Sequence, residues 1–189
     1  VSRKFLSSFS VFDIIMIAMC AGLGIAVKVV ARDLVQIITM PLFIPGGAVA
    51  GGIYFLFIVA AAGLVNKPGA ATLACVVQAV LAIMTATGHG VLSLLTFTVP
   101  GIVIDLFYIL TRRKINAVTC FLMGALANIA GTYGSNLAFF RLPLPPLMLS
   151  LLLGALSGGL GGLAALAVIK GLRKLNPVFE KKAEVSVEK

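Results

Sequence analysis

Charge is what this sequence of 189 residues has least of. Only 11% of its residues are Asp, Glu, Lys or Arg, against about 25% in an ordinary soluble chain. Tryptophan is absent, histidine occurs once and cysteine three times. So little charge cannot cover a domain of this length in water. A content of 60% hydrophobic residues and a mean hydropathy of +1.14 point instead to an all-α integral membrane protein.

The missing motifs exclude several chemistries. No G-x-x-x-x-G-K-[ST] run is present, so the chain does not itself hydrolyse ATP. No H-E-x-x-H and no clustered carboxylates offer a metal site. Cys20, Cys75 and Cys120 fall inside apolar runs at no ligand spacing and read as small buried thiols, not as a disulfide framework. Ser157 in GALSGG has no base on a neighbouring helix, because the single histidine, His89, falls in a turn. The expectation is a protein that is not an enzyme, with no cofactor and no metal.

At about 20 apolar residues per crossing, the chain divides into six spans. They run from Ser10 to Val30, Gly47 to Val65, Pro68 to Ala86, Gly90 to Leu110, Ile115 to Phe139 and Pro146 to Ile169. The apolar run after Val-Ser-Arg-Lys is too long for a signal-peptide core and reads as a retained first helix. Ala31–Gly46, interrupted by Pro41 and Pro45, reads as an irregular outer loop or an interfacial helix. Residues 1–175 form one membrane domain in this reading, and residues 176–189 a charged cytoplasmic tail.

Charge supplies the orientation. With the N-terminus inside, twelve of the 15 Lys and Arg fall on the inner side, including Lys67, Arg112, Arg113, Lys170, Arg173 and Lys174; only Lys28, Arg32 and Arg141 fall outside. The positive-inside rule therefore predicts N-in and C-in, and accounts for the net charge of +9 without invoking nucleic acid. Asn66-Lys67-Pro68-Gly69 becomes a tight cytoplasmic turn, with proline near the start of the next helix.

Three sets of residues stand out. Ala18, Gly22 and Ala26 recur every fourth position in the first span, a spacing that lets helices approach closely, either within the bundle or against another membrane protein. Gly154, Gly158, Gly159, Gly161 and Gly162 crowd the sixth span and read as packing within the chain. Polar groups at membrane depth form the third set: Gln78 and Thr85 on the third span, Ser93 and Thr96 on the fourth with Pro100 breaking its middle, and Asn128, Thr132 and Asn136 with Tyr133 on the fifth. Such groups either tie helices together or line a cavity, and their shared depth favours a pocket opening outward. His89, Arg141, Gln36 and Arg32-Asp33 are candidates for its rim. Asp105 is expected to pair with Arg112 or Arg113, and Asp13 with Arg3 or Lys4.

Six helices, both ends inside, and small-xxx-small spacing on the first helix resemble the S component of an energy-coupling-factor (ECF) vitamin transporter. NKPGAATLACVVQAVLAIMTATGHG and VPGIVIDLF are most similar to the YkoE-type group, associated with thiamine or related compounds. The resemblance implies a substrate-binding subunit in the plasma membrane of a prokaryote. It would capture a water-soluble vitamin or precursor from outside and dock through Ala18, Gly22 and Ala26 onto a transmembrane coupling subunit driven by two ATPases. Ligand contacts would come from Gln78, Thr96, Asn128, Tyr133 and Asn136, with His89, Arg141 and Gln36 closing over them and Asp105 at a position where the family tends to carry an acid. The group places glutamates on its third helix, where this chain has Gln78, Cys75 and Ala82; that departure argues against cationic thiamine and for a neutral or weakly charged heterocycle. The alternative reading is a non-catalytic structural or assembly subunit whose polar stripe joins helices.

Overall fold

Long apolar stretches wind into helices wherever the sequence lacks Gly-Pro punctuation. The computed structural model describes residues 9–39, 41, 46–85, 90, 92–112, 114–140 and 142–175. The predicted roles of Arg3, Lys4, His89, Arg113, Arg141 and the tail 176–189 lie outside these, as do the side chains of Arg32 and Asp33. Among the described residues the chain is all-helical: α1 (Val11–Thr39), α2 (Gly46–Val65), α3 (Ala70–Met84), α4 (Leu92–Leu110), α5 (Ala117–Ser135) and α6 (Leu144–Leu175). A single π-helical turn, Asn136–Phe140, follows α5.

Four expectations change in detail. Ala31–Gly46, expected as an irregular outer loop or an interfacial helix, instead continues α1 as far as Thr39, because ARDLVQIIT holds neither Gly nor Pro and the first breaker is Pro41. The third span shrinks to 15 residues, between Gly69 (φ 92°) and a turn at Thr85. Among the described residues, five helices are thus long and apolar enough to cross a membrane, and α3 is a shorter apolar helix. Pro100 lies inside α4 without ending it. Helix α6 begins at Leu144, with Pro145 and Pro146 in its first turn where their missing N–H groups cost nothing, and it runs 32 residues.

The helices alternate in direction, and contacts between their ends at one pole of the bundle show it. Lys67 follows α2 and pairs with Asp13 in the first turn of α1 (2.8 Å). Tyr108 near the end of α4 donates its hydroxyl to the Asn66 side chain. Arg173 near the end of α6 donates to the Gly63 carbonyl of α2 (2.7 Å). Asn66 takes a left-handed conformation (φ 56°), which closes α2 as a glycine would.

The core is built from small side chains. Ala60, Ala61, Ala62, Ala70, Ala71 and Ala74 are all buried, and backbones come close. A Cβ added to Gly162 would land on the Cys120 carbonyl, one on Gly158 on the Gly124 carbonyl, and one on Gly161 on the Gly52 carbonyl. The glycines of α6 therefore seat that helix against α5 and α2, as their spacing predicts. In lipid, where no hydrophobic effect separates helix from solvent, such close packing is what holds helices together.

Candidate functional site

The polar side chains at membrane depth fall into separate groups. Asn128 on α5 is 1% exposed and fully engaged as a donor, giving its amide N–H groups to the Ala48 carbonyl of α2 (3.0 Å) and the Gly154 carbonyl of α6 (2.8 Å). Its side chain fits only because Gly51 offers no Cβ. One turn on, Thr132 donates to the Asn128 amide oxygen (3.4 Å). Asn136, also buried, accepts the Leu142 N–H (2.8 Å) and fastens the link into α6. Tyr133 points away from this stripe and is 49% exposed.

Gln78 stands elsewhere. It is 2% exposed on α3, and its Nε2 meets the position where Gly24 of α1 would carry a Cβ, with Phe57 of α2 alongside. That amide nitrogen has no hydrogen-bond partner among the described residues. Lys28 follows Gly24 by one turn on the same side of α1. Its ammonium lies over the Phe97 ring of α4 (3.8 Å to the centroid) and near the Tyr54 ring of α2 (5.6 Å). The sequence reading treated Lys28 only as one of three outer charges.

The remaining candidates take local or peripheral positions. Thr96 bonds back to the Leu92 and Ser93 carbonyls, and Thr85 to Leu81. Gln36 is exposed near the end of α1, its backbone close to Gly46. Ala18 and Ala26 are exposed, and nothing approaches within 4 Å of a Cβ built on Gly22, so the bundle leaves this face of α1 uncovered. An apolar groove of about 500 Å³ opens between α2 and α6, lined by residues including Ile53, Leu56, Leu153 and Leu156. None of the predicted ligand-binding residues lines it.

Asp105 is the clearest correction. Its carboxylate accepts the Ala71 N–H (3.3 Å), the Thr72 N–H (2.8 Å) and the Thr72 hydroxyl (2.5 Å), and forms no ion pair with Arg112. The cause is local: Gly69 at the start of α3 has no side chain with which to cap it. An acid from α4 satisfies those N–H groups instead and complements the positive helix end. Asp13, in turn, pairs with Lys67, and it also exchanges hydrogen bonds with Ser10 to cap α1.

Comparison with known proteins bears on the whole chain. No curated protein matches it. Its fold is similar to that of a crystal structure described as an S component of an ECF transporter, with a TM-score of 0.78 at 21% identity, over 95% of this chain and 98% of that one. The family described as "ABC-type cobalt transport system, permease component" matches residues 12–130, which carry α1 to α4 and most of α5. By that match the chain, a multi-pass helical membrane protein, belongs to the family of permease components of ABC-type cobalt transport systems.

Proposed function

We propose that this protein is the substrate-binding S component of an ECF-type importer. In this reading it lies in the plasma membrane of a prokaryote with both ends inside and α3 as its sixth, shortened span. It takes up a water-soluble vitamin or precursor from outside and works with a transmembrane coupling subunit and two ATPase subunits; it is not itself an enzyme. The observation that carries the proposal is a fold shared from end to end with an S component, in a chain whose family is a transport permease. The uncovered Ala18-Gly22-Ala26 face supports it, since a docking surface must be left free by the bundle.

The family name mentions cobalt. Among the described residues no group of three or more His, Cys, Asp or Glu could hold a metal ion, so an organic cargo fits these residues better. The likeness to the YkoE-type group is part of this proposal. Its thiamine is not, because α3 offers Gln78 where a cationic ligand wants carboxylates.

The test is purification of the tagged full chain from its native membrane. A coupling protein and two ATPases are expected to accompany it, and Gly22→Leu should release them while the chain's own size-exclusion profile is unchanged. Isolation of the wild type alone, from membranes known to contain ATPase subunits of this class, would count against the proposal.

A second reading, an assembly subunit, draws on Asn128, whose two donated hydrogen bonds join α2, α5 and α6. Under either reading Asn128→Leu should cost about 1–2 kcal/mol of stability in detergent melting. Only under the second should it leave small-molecule binding out of account altogether, there being none to lose.

A further inference from the structure

Three segments meet at Gly63, and they bring basic residues with them. A Cβ built on Gly63 of α2 would touch the side chains of both Ile169 on α6 and Ile115 in the α4–α5 turn. Arg173 is fixed at the same level by the hydrogen bond it donates to the Gly63 carbonyl. Lys114 precedes Ile115 and Lys170 follows Ile169, so both stand at this pole, with Arg112 and Lys174 a few residues away. Arg112, Lys114, Lys170 and Lys174 are all exposed.

No acid answers these four among the described residues. Asp13 faces Lys67, Asp105 serves the start of α3, and Asp33 belongs to the far half of α1. Glu180, Glu184 and Glu188 fall in the tail, outside the described residues. Like charges gathered without a counter-charge repel one another, so an anion from outside the chain stabilises this pole.

The surface above the lysines indicates which anion. Leu156, Leu160, Leu163, Ala167, Lys170 and Lys174 follow at alternating spacings of four and three, and so share one face of α6. All six are exposed. Leu156 and Leu160 also line the apolar groove between α2 and α6. From Leu160 to Lys170 the helix rises roughly 15 Å, about the hydrocarbon depth of one leaflet. Apolar surface that runs down to two lysines one turn apart matches a molecule with a long chain and an anionic head.

We propose that an anionic phospholipid binds here, with an acyl chain along the groove and its phosphate on Lys170 and Lys174. Arg112 and Lys114 add positive charge beside that phosphate. The contact goes beyond the importer reading and does not rest on it, since it needs only helices that cross a membrane. A free phosphate or an acidic peptide would use the lysines and leave the groove empty.

The test is native mass spectrometry of the purified full chain, loaded in detergent with phosphatidylglycerol or with phosphatidylcholine of the same acyl chains. The wild type should prefer phosphatidylglycerol by about fivefold for each lysine engaged. Lys170→Gln/Lys174→Gln should remove the preference, and Lys170→Arg/Lys174→Arg should keep it. Lys181→Gln/Lys182→Gln takes the same charge from the tail and should change nothing. Ala164→Phe, which fills the groove, should lower retention of both lipids. Equal retention of the two lipids by the wild type overturns the proposal and leaves this pole to an acidic protein segment. A preference that survives Lys170→Gln/Lys174→Gln, or that falls as far in the tail variant, overturns it too. So does displacement of the lipid by an equal concentration of glycerol phosphate, because the acyl chain would then contribute nothing. None of these outcomes bears on the importer reading, whose own test is the subunits that accompany the chain.

Discussion

The Lys67 ammonium lies 2.8 Å from the Asp13 carboxylate, joining the turn between α2 and α3 to the first turn of α1. Asp13 is 1% exposed and Lys67 33%, and the Phe9 ring lies 5.7 Å from the ammonium. Asp13 also accepts the Ser10 N–H, so it serves as cap and counter-ion together.

Replacing the two partners should therefore have unequal effects. Asp13→Ala removes the acceptor of the Ser10 N–H and the carboxylate that faces Lys67, and is expected to cost about 2–3 kcal/mol. Lys67→Met, whose amine is partly in solvent, should cost less. Thermal melting of both single variants and the double variant measures the coupling. Strict additivity would mean the pair contributes nothing.

Asp105 should be as important to α3 as Asp13 is to α1. Asp105→Ala leaves the Ala71 and Thr72 N–H groups without their acceptor, at a helix start whose own cap position is glycine. A loss of roughly 2 kcal/mol follows, concentrated at this end of α3. Hydrogen exchange should show faster exchange at Ala71 and Thr72 than in the wild type. Unchanged protection there would show that the carboxylate is not the cap.

Glycines in two places should respond in opposite ways. Gly162→Ala puts a methyl group onto the Cys120 carbonyl and must separate α5 from α6, with an expected cost of at least about 2 kcal/mol. Gly22→Ala meets nothing and should not lower Tm, since alanine is the better helix former. Comparable losses from the two would mean that the face of α1 is covered within the chain.

Much of the bundle was legible in the sequence because its signals are local. Apolar runs of membrane length, the Asn66–Gly69 turn and the glycine crowding of α6 each need only neighbouring residues to be read. The partners of charged groups were not legible. Asp105 has Arg112 nearby in sequence but Thr72 nearby in space, and Asp13 meets a lysine 54 positions away. The predicted polar pocket separated for the same reason. Helical spacing puts Asn128, Thr132 and Asn136 on one face, but it does not say that this face meets α2 and α6 while Gln78 meets α1.

By itself, the sequence determined that the chain is helical and made for lipid, because hydropathy and charge are sums over residues and independent of their arrangement. It also determined where most helices start and stop, through proline, glycine and asparagine acting on their own backbone. Only the tertiary structure decided which polar groups are satisfied. A buried amide is structural or available according to whether a carbonyl from another helix lies within about 3 Å of it. Among the described residues, the Asn128 amide nitrogen has two such carbonyls and the Gln78 amide nitrogen has none.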